Sequence, residues 1–278
     1  MKTVICYSPG KSFPSVSLTG GHCELGCPHC MGRPLSAMLP AQTPEKLCEI
    51  AAGLAGRGAL GFLLSGGCSS ESVVDLEPYL EAIKSIKRGT NLKINAHIGF
   101  PRAGSVRRIV SSGIDAFSLT YPTSDRVGKE FLMTEGAVGR YDETVKALVG
   151  EGAGKVVPHI LLGIGTPEED ARAVENISTE PPASLVVIAF RPIRGTPFEV
   201  ANATPDSRII APIELARELM PDTKIVLGCM RPRGRVEMEK YLVENLLDGI
   251  AMPSGGLARS LSSSISLERV PGCCAVYL

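Results

Sequence analysis

Cys23-Glu24-Leu25-Gly26-Cys27-Pro28-His29-Cys30 decides the reading of this 278-residue chain. Three cysteines separated by three and then two residues can wrap one corner of a [4Fe–4S] cubane, because iron–sulfur clusters are held by thiolates. That leaves one iron without a protein ligand, and an open position is what separates reactive metal sites from structural ones. The alternative is a structural zinc knuckle with His22 or His29 as fourth ligand. Such knuckles usually carry a second Cys/His pair a dozen or more residues on, and none follows here.

The segment before the motif, Val16–Thr19, reads as a short buried strand, and seven more aliphatic runs follow. They are Gly61–Ser65, Leu92–Ala96, Ala116–Leu119, Val156–Leu162, Leu185–Phe190, Lys224–Leu227 and Gly249–Met252. Amphipathic stretches separate them. Thr43-Pro44-Glu45 and Thr166-Pro167-Glu168 each place a capping hydroxyl before a proline, the signature of a helix start. Further helices are expected over about 71–87, 103–112, 140–151, 207–220 and 235–246. Eight strands alternating with helices predict an α/β fold, a (β/α)8 TIM-type barrel with parallel strands and right-handed crossovers. An open six-stranded partial barrel is the competing count. The barrel takes residues 1–253, including a short N-terminal extension, and residues 254–278 form a cysteine-containing tail expected to cap the barrel mouth. The stretch 121–139 is long for a βα connection and is expected to be a functional wall of the site.

Charge is balanced at 29 basic and 29 acidic residues, which removes the electrostatic footprint of a nucleic-acid or anionic-membrane binder. No apolar run approaches about 18 residues, and Met1–Gly10 lacks the apolar core of a signal peptide. A cytoplasmic location is therefore expected. Nine cysteines in a reducing compartment point to metal or redox chemistry rather than disulfides.

The cysteine spacing, placed in the loop after strand one, resembles the defining motif of the radical S-adenosylmethionine (SAM) superfamily. Three further segments are similar to that family over about residues 14–253. Ser65-Gly66-Gly67 matches the strand-two end, where the resemblance implies backbone contact with the methionine amino group. Cys68 stands where the family often has an acid. Ile160–Glu168, with Ile164 and Gly165, resembles the fifth-strand segment beside adenine and methionine. Arg191-Pro-Ile-Arg-Gly195-Thr196-Pro197 resembles the sixth-strand segment of the biotin synthase-like branch. His29 takes the position of an aromatic residue near adenine, so stacking or simple packing is preferred to metal ligation. Strand C-termini form the active face of a barrel, which adds Ser17, Asn95, His97, Ser118, His159, Arg191 and Arg231. Asn95 and His97 are candidates to hold ribose or substrate, with interior hydrogen bonding as the alternative for each histidine. Arg191, Arg231, Arg233 and Arg235 are candidates to pair with the cofactor carboxylate, with surface salt bridging as the alternative for the last two. The cofactors expected are SAM and one [4Fe–4S] cluster; no catalytic side chain is assigned.

Six cysteines remain. Cys48 fits the apolar face of the first helix. Cys68 and Cys229 follow strand ends, and Cys273 and Cys274 lie in the tail. A tail folded over the mouth would let these four hold a second, auxiliary cluster, with Cys6 in reserve. Val157-Pro-His159-Ile160, Gly228-Cys229-Met-Arg-Pro-Arg233 and Cys273-Cys274, taken with the cysteine motif, narrow the resemblance to one subunit of the two-component lipoyl synthases. That resemblance implies sulfur insertion into octanoyl-lysine of a lipoyl-carrier protein or peptide. A second radical SAM subunit and a ferredoxin or flavodoxin donor are the partners expected. Biotin synthase-like insertion, a methylating or rearranging enzyme, and a non-catalytic Fe–S or zinc-binding protein remain as alternatives.

Overall fold

In a computed structural model describing residues 1–277, the chain folds as one parallel sheet wrapped by helices. In chain order the elements are β1 (Lys2–Tyr7), β2 (Ser15–Ser17), β3 (Leu39–Pro40), α1 (Pro44–Gly56), β4 (Gly61–Ser65), α2 (Leu80–Gly89) and β5 (Lys93–His97). Then come α3 (Ala103–Val110), β6 (Ala116–Tyr121), α4 (Asp125–Phe131), α5 (Ala137–Gly150), β7 (Val156–Leu162), α6 (Pro167–Ser178) and β8 (Ser184–Ala189). The last are α7 (Ser207–Leu219), β9 (Lys224–Leu227), α8 (Val236–Asn245), β10 (Gly249–Ala251), α9 (Leu257–Ser260), β11 (Ile265–Val270) and α10 (Cys274–Tyr277).

The sheet order is β11-β1-β10-β9-β8-β7-β6-β5-β4-β2-β3, with every pair parallel. All eight expected barrel strands are present, from β2 through β10 without β3. Three more strands widen the sheet, and β3 and β11 stand as free edges, so the barrel is open rather than sealed by hydrogen bonds. Successive side chains of a strand face opposite ways. Leu64, Ile94, Phe117, Ile160, Val187 and Ile225 therefore pack outward into the main core beneath the helices. Val157, Val186 and Val226 face the lumen with Tyr7 and Ala251.

Local signals set the helix starts. Thr43 caps α1 through Lys46 N, and Thr166 with Glu169 forms a reciprocal capping box on α6. The helix expected from residue 71 begins only at Leu80, after a single 3₁₀ turn over Glu77–Tyr79. The preceding backbone is committed elsewhere: Val74 N donates to Ile98 O and Phe100 N to Ser72 O.

The described part of the tail, residues 254–277, does not cap the mouth. Its β11 pairs with β1 in register, Lys2 opposite Ile265 and Tyr7 opposite Val270. The chain then turns into the lumen. Cys274 and Ala275 pack on Tyr7, Val157, Val186 and Val226, and Val276 packs with Phe13 and Ala116. Lys155 Nζ donates to Val276 O at 2.7 Å, and Tyr277 meets Phe13 edge-on. Lys155 and Phe13 both precede their strands, so α10 plugs the N-terminal end of the barrel. The physical reason is apolar matching, because Ala275-Val276 fills the aliphatic lower lumen that would otherwise be void. Leu278 lies outside the described residues. Among the described residues no helix is long and apolar enough to cross a membrane.

Arg231 locks the β9–β10 end of the barrel. It is 0% exposed, donates to Glu239 Oε1 at 2.7 Å, and reaches the carbonyls of Gly228, Ala251 and Met252. It is therefore a structural cation and does not face a cofactor carboxylate. Arg231→Ala leaves Glu239 buried without its cation, a change that costs about 3–5 kcal/mol. Chemical denaturation is expected to show that loss, and a midpoint within error of the parent protein would refute the lock.

Candidate functional site

The motif cysteines sit on the loop between β2 and β3, and the end of β4 is their platform. Leu18 N donates to Ser65 O, Gly67 N donates to Thr19 Oγ1, and Thr19 Oγ1 donates to His22 O. Gly67 has a steric role: a Cβ there would collide with the His22 carbonyl oxygen and the Cys23 Cα. Glu24 N and Leu25 N both donate to Cys68 O, and Cys23 Sγ reaches the same carbonyl at 3.8 Å. The stretch Ser65-Gly66-Gly67-Cys68 thus carries the cysteine loop, and Ser65 and Gly66 also line the adjoining cavity.

The opposite support comes from the end of α4. Cys27 Sγ contacts Leu132 O at 3.3 Å, and His29 Nδ1 donates to Phe131 O at 2.9 Å. The stretch 121–139 thus carries a helix and does serve as a wall, with Leu132 and Thr134 lining the cavity. Hydrogen bonding between Cys27 and Cys30 splits their acidities. It holds the Cys30 thiol well below its usual range, with His29 helping, and pushes Cys27 up. Burial opposes charge on His29, yet its bond to Cys30 and that thiolate's charge raise it overall. Burial pushes the Cys68 thiol up to about 12.

Below the loop lies a cavity of about 310 Å³, running from Cys27, His29 and Cys30 down to His97, Ser118 and Thr120. Leu132, Leu161, Ile188, Phe190, Ile193 and Met230 make its walls apolar. Among the described residues Arg191 is the single permanently charged one lining it. His97 packs edge-on against His159, with ring centroids 5.5 Å apart. Burial, with some repulsion from His159, pushes His97 down to about 3, and burial takes His159 to about 4. Both imidazoles are neutral near pH 7. His97 has no hydrogen-bond partner among the described residues, so its ring nitrogens are free for a ligand. Ser72 and Thr134, which pair through their hydroxyls at 2.6 Å, also line the cavity. Nothing in the sequence singled them out, because their loops meet only in the fold.

Other expected positions fall elsewhere. Asn95 lies below the cavity: Ser118 Oγ donates to its Oδ1 at 2.9 Å, and its Nδ2 donates to Cys273 Sγ at 3.5 Å. Ile164 and Gly165 lie on the turn after β7, where Gly165 is pressed against Glu169, Val127 and Thr123. Neither lines the cavity, although the neighbouring Thr123 Oγ1 is buried without a hydrogen-bond partner. Ser17 bonds Gly20 O, Arg235 pairs with Asp206, and Arg233 holds the Met252 and Cys229 carbonyls.

The four auxiliary cysteines do not come together. Cys68 belongs to the motif platform, its thiol feeling Cys23 and Cys30. Cys229, Cys273 and Cys274 form a separate group, each within electrostatic reach of the others. Cys229 follows the end of β9 with part of its surface exposed, yet its thiol is surrounded by protein and burial pushes it up. Hydrogen bonding with Cys274 lowers Cys273. Cys6 is buried on β1 and lines an outer recess instead.

The motif residues fit a cluster bound by three thiolates. They are three sulfurs from one loop, one of them made more acidic by its neighbours, on a platform that only glycine permits at position 67. Beside them the cavity leaves room and hydrogen-bonding groups for a small organic cofactor.

No family profile matches the chain. It is similar to the biotin synthase of Saccharopolyspora erythraea, 25% identical over 218 residues, covering 76% of this chain and 60% of that protein. The biotin synthase of Neorickettsia sennetsu is 25% identical over 228 residues, covering 78% of this chain and 68% of that protein. The chain thus spans roughly two thirds or less of the length of these curated relatives. Among solved structures, methylornithine synthase (PylB) superposes with a TM-score of 0.65 at 18% identity, covering 97% of this chain and 76% of that one. The FeFe-hydrogenase maturase HydG from Carboxydothermus hydrogenoformans gives 0.61 at 16% identity, covering 90% and 58%. These structures speak for the fold. The parallel half-barrel and the cysteine loop fit the radical SAM resemblance drawn from the sequence, which would imply a [4Fe–4S] cluster and SAM. In sequence the chain is similar to biotin synthases, and in fold to methylornithine synthase and HydG.

Proposed function

We propose that the chain is a radical SAM enzyme that inserts sulfur into an unactivated C–H bond of an acyl chain, octanoyl-lysine of a lipoyl-carrier protein being the substrate. One observation carries this reading. An apolar cavity is lined on one side by Cys27 and Cys30 of the motif, and on the other Cys273 is tied to cavity residue Ser118 through Asn95. Cys229 and Cys274 lie within electrostatic reach of Cys273 and complete this second thiol group.

Cys23, Cys27 and Cys30 would hold the cluster, and SAM bound beside it would supply a 5′-deoxyadenosyl radical able to take hydrogen from an unactivated carbon. The protein's own residues then have separable tasks. Leu132, Leu161, Ile188 and Phe190 hold an aliphatic chain and exclude water. Neutral His97 and the hydroxyls of Ser118 and Thr120 hydrogen-bond polar groups without introducing charge. Arg191, at the rim, meets an anionic group such as the cofactor carboxylate. Cys229, Cys273 and Cys274 would hold an auxiliary Fe–S cluster as sulfur source, Cys68 being excluded by its place on the other side. A second radical SAM subunit and a ferredoxin or flavodoxin complete the reading.

The test is anaerobic incubation of reconstituted protein with SAM, reductant and an octanoyl-lysine peptide, with and without a partner subunit. We expect 5′-deoxyadenosine together with a sulfur mass increase on the peptide. Deoxyadenosine without peptide thiolation in either arm would refute the substrate. Similarity to biotin synthases favours a second reading, thiolation of a free biotin precursor, and a mass increase on that molecule alone would select it.

A further inference from the structure

A recess of about 610 Å³ lies on the outer side of the sheet, away from the cavity. Its walls are the loop after β10 (Met252-Pro253-Ser254-Gly255-Gly256), the outward faces of β1 and β11, and helix α9. Two cations line it, Arg259 from α9 and Arg269 from β11, and no acidic side chain does. Among the described residues neither arginine has an ion-pair or hydrogen-bond partner for its side chain. Arg102, Arg107, Arg108, Arg126, Arg208, Arg217, Arg231 and Arg235, by contrast, all pair with carboxylates.

The guanidinium of Arg259 folds back over the loop, its Nη2 lying 3.7 Å from where a Cβ on Gly256 would stand. A Cβ on Gly255 would meet nothing within 4 Å, so the backbone there is bare and approachable. Among the described residues the N–H groups of Gly255 and Gly256 have no acceptor, and the Ser8 hydroxyl also faces the recess. Bare glycine amides and unpaired guanidiniums around one hollow make an oxyanion site, with arginine suited to phosphate by its planar fork. Loops after the last barrel strands are recurrent phosphate sites in this architecture. Helix α9 is a single turn, so its dipole adds nothing to the argument.

We propose that Arg259, Arg269 and the Gly255-Gly256 loop form a binding site for a phosphate-bearing small molecule, distinct from the radical site. The recess is far larger than an inorganic ion needs, and Met252, Pro253, Ala258 and Leu267 give the organic part an apolar seat. Balanced net charge argues against a nucleic-acid backbone as occupant.

The test is calorimetric titration of the reconstituted protein with inorganic phosphate, glycerol 3-phosphate and AMP, with chloride at matched ionic strength as control. The same titrations are run on an Arg259→Ala/Arg269→Ala variant. We expect saturable binding of phosphate, binding at least as tight for one of the esters, and a loss of about tenfold or more in the variant. Cleavage of SAM should be unchanged in the variant, which separates this site from the radical reading. The proposal falls if phosphate does not bind, if the variant binds it equally well, if chloride competes equally, or if both esters are excluded.

Discussion

Cys27→Ala is expected to lose the cluster and to lower 5′-deoxyadenosine formation by at least a thousandfold, about 4 kcal/mol of transition-state stabilisation. The size follows from the geometry of the loop. Three sulfurs are the minimum that holds three irons while leaving one open, and Cys27 is the central one, bonded to Cys30 and seated on Leu132 O. Cys68, the neighbouring thiol residue, is committed to the loop through its carbonyl, which accepts from Glu24 N and Leu25 N. His29→Ala should be far milder, since its imidazole braces Cys30 and bonds Phe131 O without being needed as a ligand. Iron content and deoxyadenosine yield, measured together, check both variants. Undiminished SAM cleavage by Cys27→Ala would overturn the assignment of the site.

Much of the architecture was legible because buried parallel strands are continuous aliphatic runs. Gly61–Ser65, Val156–Leu162 and Lys224–Leu227 begin and end where their residues predict. The first and last strands of the chain were not legible. β1 lies in what reads as a short N-terminal extension. β11 carries Glu268 and Arg269, and a sheet edge needs no unbroken apolar pattern. The site divides in the same way. The cysteine motif is local, so spacing alone reveals it. Grouping the remaining thiols depends on which side of the lumen each strand occupies. β2 and β4 are neighbours, which puts Cys68 beside the motif, whereas four strands stand between β4 and β9, the strand that presents Cys229. Arg231 was misread for a related reason. It follows a strand end like a site residue, but its side chain turns in toward Glu239 on α8.

That division makes a second large effect predictable. Cys229→Ala and Cys273→Ala should keep SAM cleavage yet abolish sulfur transfer, and their iron content should fall from about eight to about four per chain. Cys68→Ala should keep both clusters, because its contacts with the motif loop run through its backbone carbonyl. The contrast follows from the tail. α10 threads the lumen so that Cys273 stands against Asn95, within electrostatic reach of Cys229 and one hydrogen-bonded step below cavity residue Ser118. A sulfur source there lies beneath a chain held in the cavity, whereas one at Cys68 would crowd the cluster that starts the reaction. Asn95→Ala tests the seat separately: it should lower the reactivity of Cys273 toward alkylation in cluster-free protein, since the amide donor helps hold that thiol below its usual range. If reconstituted parent protein never exceeds about four irons, or if Cys68→Ala alone drops to four, the lower thiol group is not the sulfur source. The plug would then serve only to fill the barrel.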